Sequence, residues 1–194
     1  NSGIAFSEAL SGLLPGTTYY FCAIANNVVG TGFGTVFSFT TPNAPIVITS
    51  AVSAITGTTA TFNGQGNPNG ALATGYFRYG ITDPGTCNDS YGTRAPAASG
   101  TNLGSGGASV FFSQSVSGLT PGTLYYVCAL ASNPVGVGVG APVTFTTPAA
   151  PGLTTMAATS VSSNAATLNA NGIPNLSATT GWFRYATSNP GACN

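Results

Sequence analysis

Four cysteines are the residues of this sequence best suited to covalent chemistry, and their spacing is regular. Cys22 and Cys128 lie 106 residues apart, and so do Cys87 and Cys193. Paired thiols of this kind fit an oxidising compartment, where they form disulfides. Little else is reactive. The charged residues are Glu8, Arg78, Asp83, Asp89, Arg94 and Arg184, and the 194-residue chain has neither His nor Lys. A general base, an activated nucleophile or a zinc site draws on His or on clustered carboxylates. The sequence therefore assigns no catalytic residue, no metal ligand and no cofactor, and an enzyme is not expected. Three Arg cannot neutralise a phosphate backbone, so no nucleic-acid partner is expected.

The remaining candidates are weak. Asp83, Asn88 and Asp89 supply hard oxygens of the kind calcium takes. Their spacing fits no calcium loop, however, and Asp83 becomes Asn189 one period later. Arg78 and Tyr76 alternate to the same side of a strand, and Arg78 is placed to stack on Tyr126 of the neighbouring strand. A sugar platform would need a second such pair. Trp182 replaces Tyr76 in the next copy and reads as a surface aromatic. Gly136 to Gly140 reads as a loop without the following helix that a phosphate site requires. Asn88-Asp89-Ser90 and Asn175-Leu176-Ser177 match the glycosylation acceptor pattern.

These residues are positioned by strands that recur. Leu119 to Asn133 begins with a Pro121-Gly122 turn and continues as a strand. Tyr125, Val127, Ala129 and Ala131 fall on one side, with Tyr126, Cys128, Leu130 and Ser132 on the other, so one face packs on a core and the other points outward. Leu13 to Asn27 is an earlier copy. Phe77-Arg78-Tyr79 returns as Phe183-Arg184-Tyr185 at the same offset of 106, without insertion. The joins are Phe39-Thr40-Thr41-Pro42 and Phe145-Thr146-Thr147-Pro148, each followed by a short Ala/Pro linker. Residues 1–42 read as the C-terminal half of a repeat, 43–148 as a complete repeat, and 149–194 as the N-terminal half of the next.

Within the complete unit, strands are expected at 46–52, 58–63, 74–80, 109–117, 123–132 and 140–147. Gly64 and Gly66 are read as ending the second. Residues 81–107 read as a long loop with one short edge strand. Gly and Pro interrupt every helical pattern. Short strands with frequent turns indicate an all-β sandwich.

The run Val116-Ser117-Gly118-Leu119-Thr120-Pro121-Gly122-Thr123-Leu124-Tyr125, followed by Ala131-Ser132-Asn133 and a closing Phe145-Thr146-Thr147, resembles a fibronectin type III domain. The resemblance covers the chain as tandem, immunoglobulin-like β-sandwich repeats of a secreted or surface protein of bacterial type. It implies that Tyr125 and Tyr19 form tyrosine corners. The chain departs from the family where a buried Trp is usual, with Phe62 or Leu168 nearest that role, and in the length of the 81–107 loop. There is no Arg-Gly-Asp. In this fold the loop carrying Cys87 neighbours the Cys128 strand, which favours a Cys87–Cys128 bridge inside the repeat, with Cys22 and Cys193 paired in adjoining half-repeats. Closing about 41 residues would contribute on the order of 3–4 kcal/mol. The rival pairing is Cys22–Cys87 with Cys128–Cys193, locking neighbours together, and free thiols are the third reading.

Formal net charge is zero and only 3% of residues are charged, so little repulsion opposes self-association. No apolar run approaches the ~20 residues of a membrane helix. Neither half-repeat can bury its face alone. Either this is part of a longer tandem array, or residues 149–194 of one molecule complete residues 1–42 of the next as a head-to-tail polymer, bringing Cys193 near Cys22. The expected role is structural, an extracellular filament or cell-surface stalk. The alternative is a spacer, or a carbohydrate-binding or adhesion module that touches surface glycans, within a larger secreted protein.

Overall fold

The computed structural model describes residues 2–193; Asn1 and Asn194, the outer limits expected for the two half-repeats, lie outside the described residues. The described residues are all-β, with fifteen strands. First come two small ladders: β1 (Thr18–Phe21), β2 (Ile24–Asn26), β3 (Thr31–Phe33) and β4 (Phe37–Thr40), with β1 paired to β4 and β2 to β3. The central part holds β5 (Ile46–Ser53), β6 (Thr59–Asn67), β7 (Ala73–Gly80), β8 (Thr93–Ala95), β9 (Thr101–Gly104), β10 (Val110–Ser117), β11 (Leu124–Asn133), β12 (Gly136–Val139) and β13 (Val143–Thr146). A last ladder pairs β14 (Gly152–Thr159) with β15 (Thr167–Ile173).

The central strands make two antiparallel sheets. One has the order β10-β6-β5. In the other, β11 pairs with β7 on one side and with β12 and then β13 on the other, while β7 carries β8 and β9 on its free edge. Alternating residues of both sheets close one core. Val127, Ala129 and Ala131 of β11 meet Ala60 and Phe62 of β6 and Phe77 of β7. Phe62 is fully buried, its ring 5.8 Å from Phe77 and 5.9 Å from Phe145. Burying one such side chain contributes about 2–3 kcal/mol.

Three expectations need correction. Gly64 and Gly66 lie inside β6 rather than ending it. A Cβ on Gly64 would stand 2.9 Å from Ala129 Cβ, so glycine is required by the close approach of the sheets, not by a turn. Gly136–Val139 is a strand, not a loop, and a Cβ on Gly138 would sit 1.9 Å from the Pro45 carbonyl oxygen. The 81–107 segment contributes two short strands, both added to β7.

Candidate functional site

The outer face of β11 is covered. Cys128 and Leu130, read as outward-pointing, are fully buried with Tyr76 and Cys87 in a second apolar cluster, and Tyr91 packs against it. The covering strap is the 81–107 segment, pinned by a Cys87–Cys128 disulfide whose Cα atoms are 5.9 Å apart. That bridge excludes the pairing of Cys22 with Cys87. Cys22 and Cys193 are free, exposed thiols.

Arg78 does not stack on Tyr126. Its Nε and Nη2 donate to Asp89 Oδ1 at 3.2 and 3.1 Å, because the strap brings a carboxylate over it. Arg94, which sequence reasoning left without a role, is the arginine that stacks, 4.1 Å from the centre of the Tyr76 ring. It also donates to the carbonyls of Pro96, at 2.6 Å, and of Ser99. The alternation of Tyr76 was the available signal, but it could not show which arginine folds back. Burial, and then the nearby Asp89 carboxylate, pushes the Tyr76 phenol up to about 12. Burial also raises Tyr79, with Tyr125 beside it, and Tyr91, with Asp83 and Tyr126 beside it. Asp83 Oδ1 and Asn88 Oδ1 accept the amides of Gly85 and Ser90, so these side chains close turns. Among the described residues no cluster of three Cys or acidic groups is placed to hold a metal. In the strap, Asp83, Asn88 and Asp89 are thus engaged in turn-closing hydrogen bonds and an ion pair with Arg78.

The tyrosine hydroxyls act on the turns that precede their strands. Tyr125 Oη accepts the Thr120 amide at 3.0 Å, and Tyr19 Oη accepts the Leu14 amide at 2.9 Å. Buried Thr147 ties the same turn down, accepting from the Thr123 amide and donating to the Thr120 carbonyl; Thr41 does this with Thr17 and Leu14.

These turns grip the linkers. At the entry to the central unit, the Gly16 amide donates to the Pro42 carbonyl at 3.0 Å and the Asn43 amide to the Asn69 carbonyl at 3.0 Å. Asn69 Nδ2 returns a bond to the Ala44 carbonyl at 2.7 Å. At the exit, Gly122 donates to Pro148 at 3.3 Å, Ala149 to Asn175 at 3.1 Å, and Asn175 Nδ2 to Ala150 at 2.5 Å. The same donors and acceptors thus hold both joints. The bond to Ala150 engages the amide nitrogen of Asn175 that glycosylation would modify.

Two open faces complete the picture. In the first part, Phe6, Leu10, Leu13, Phe21 and Phe39 line a groove of about 680 Å³. In the last, Leu153, Met156, Leu168, Trp182 and Phe183 line one of about 910 Å³. No helix among the described residues is long and apolar enough to cross a membrane.

No family model and no curated protein matches the chain. Solved structures similar to it include the sensor domain of the anti-sigma factor RsgI4 of Pseudobacteroides cellulosolvens, at 17% identity and a TM-score of 0.34, covering 54% of this chain and 95% of that one. Another is the FN1–FN3 segment of chicken CNTN1, at 17% identity and a TM-score of 0.39, covering 70% of this chain and 44% of that one.

Proposed function

We propose that this chain is a structural element, a run of fibronectin type III-like β-sandwich repeats of 106 residues in an extracellular filament or cell-surface stalk, with no catalytic duty. The observation that carries the reading is the pair of joints. A flexible linker leaves its amides to water, whereas here the amides of Asn43 and Ala149 are both bonded to the following Asn-containing turn. A hydrogen-bonded joint at each end fixes how one sandwich follows the next, which suits a load-bearing thread. The Cys87–Cys128 bridge supports a secreted or surface location, since such bonds persist where conditions are oxidising. Low charge, with solubility carried by Ser, Thr and Asn, favours lateral and end-on contact.

Electron microscopy of the source cells with an antibody to residues 43–148 tests this. Label along continuous fibres or stalks is the expected result. Label confined to a soluble secreted enzyme would replace the reading with that of a spacer or glycan-binding module.

A further inference from the structure

Asn88, Asp89 and Ser90 follow Cys87 directly in the strap and match the acceptor pattern for N-linked glycans. All three are exposed, although Cys87 beside them is buried. The pattern alone does not single out this tripeptide, because Asn175-Leu176-Ser177 carries it too. Geometry separates the two. At Asn88 the oxygen of the side-chain amide is held and the nitrogen is not. Oδ1 accepts the Ser90 amide at 2.9 Å and the Ser90 hydroxyl at 2.7 Å. The Asn88 carbonyl accepts the Tyr91 amide at 3.3 Å, which closes the turn. A side-chain amide has one accepting end and one donating end, so a turn that fixes Oδ1 leaves Nδ2 to solvent. Among the described residues Nδ2 of Asn88 has no partner. Asp89, between the two, has its charge paired with Arg78 at 3.1 Å. It therefore sets no unpaired negative charge beside an anionic sugar donor.

Asn175 differs at each of these points. Its Nδ2 donates to the Ala150 carbonyl at 2.5 Å, its own carbonyl accepts the Ala149 amide, and the Ser177 hydroxyl makes no bond to it. Asn69 makes the same two bonds at the other joint, where Ala71 stands in place of Ser177. Asparagine at that position serves the joint, with or without a hydroxyl two residues later.

From this we infer that Asn88 is a glycan attachment site and that Asn175 is not. The donor is an oligosaccharide carried on a lipid diphosphate. Asn88 Nδ2 attacks C1 of the first sugar and an N–C bond forms. The bond from C1 to the diphosphate oxygen breaks and its electron pair leaves with the lipid diphosphate. One amide proton passes to a base of the transferring enzyme. The glycan stands next to the Cys87–Cys128 bridge, which fixes its point of attachment on the sandwich. It adds hydration without charge to a chain in which only 3% of residues are charged. The inference rests on the secreted or surface location proposed above and not on the filament.

Mass spectrometry of the protein isolated from its source tests this. With no Lys in the chain, trypsin cuts after Arg78, Arg94 and Arg184, so peptide 79–94 carries Asn88 and peptide 95–184 carries Asn175. After reduction and digestion, sugar mass is expected on 79–94, at Asn88. The folded chain made without glycans is then offered a lipid-linked oligosaccharide and an oligosaccharyltransferase that acts on folded proteins. Peptide 79–94 should gain the glycan and 95–184 should stay bare. Asn88→Gln and Ser90→Ala should each abolish transfer, and Ser90→Thr should keep it, with the circular dichroism of all three matching the parent. A bare 79–94 peptide from the source overturns the inference, as does a glycan on Asn175 in place of Asn88 or full transfer to Ser90→Ala. A bare strap would leave the filament reading standing, whereas a glycosylated strap on a protein that forms no fibre would leave this site standing alone.

Discussion

The amide of Ala129 donates across the core to the hydroxyl of Thr49 on the facing sheet, 2.9 Å away. The bond has a structural cause. β12 ends at Val139 and β13 begins at Val143, so the ladder beside β11 is interrupted where Ala129 lies. Thr49 fills the gap, and both groups are out of water. Thr49→Val removes the acceptor and leaves a buried amide unpaired, so urea unfolding of the central unit should show a loss of about 1–3 kcal/mol. Thr49→Ser, which keeps the hydroxyl, should recover most of it.

Removing the disulfide should cost more than any single contact in the strap. The bridge spans 41 residues, and the chain-entropy model gives about 4 kcal/mol for a loop of that length. Cys87→Ala with Cys128→Ala should lower the unfolding free energy by that order in a denaturant titration, and faster hydrogen exchange in 81–107 should accompany it. An unchanged midpoint would show that the strap holds through the Arg78–Asp89 and Arg94–Tyr76 contacts alone.

Alkaline pH should loosen the same region. Unfolded tyrosine ionises near pH 10, while burial and Asp89 hold the folded Tyr76 phenol neutral up to about 12. The folded state therefore keeps a proton that the unfolded state has released. The stability tied to neutral Tyr76 is whole below pH 10 and is lost as pH rises through about 12. Tyr79 and Tyr91 shift in the same direction. Phenolate absorbance should show a late-ionising group that Tyr76→Phe removes, and stability of Tyr76→Phe should fall less steeply above pH 10.

The joint offers a mechanical prediction. Asn69 has φ of 54°, a left-handed conformation that Asn tolerates better than Ala. Asn69→Ala loses the bond to Ala44 and costs the central unit about 1 kcal/mol. Small-angle scattering should then show a broader distribution of distances between the first part and the central unit. Asn69→Gly, which keeps the backbone relaxed, separates the two effects: its scattering should broaden without the stability loss of the alanine variant.

Local pattern was enough for the all-β class and for most of the core. The alternation Tyr125, Val127, Ala129, Ala131 is a property of successive residues, and those four side chains line the core. The turn signals around Pro121-Gly122 are likewise local. What the sequence could not decide depends on residues far apart in the chain. Leu130 and Cys128 alternate as an outer face does, yet they are buried because a segment some forty residues earlier folds over them. Gly64 and Gly66 read as ending a strand and Gly138 as part of a loop, yet all three lie in strands, where another strand or side chain passes too close for a Cβ. Arg94 meets Tyr76, and Arg78 meets Asp89, through contacts that the path of the strap creates. Periodicity reports which way a side chain points, and only the packed tertiary structure reports what it meets.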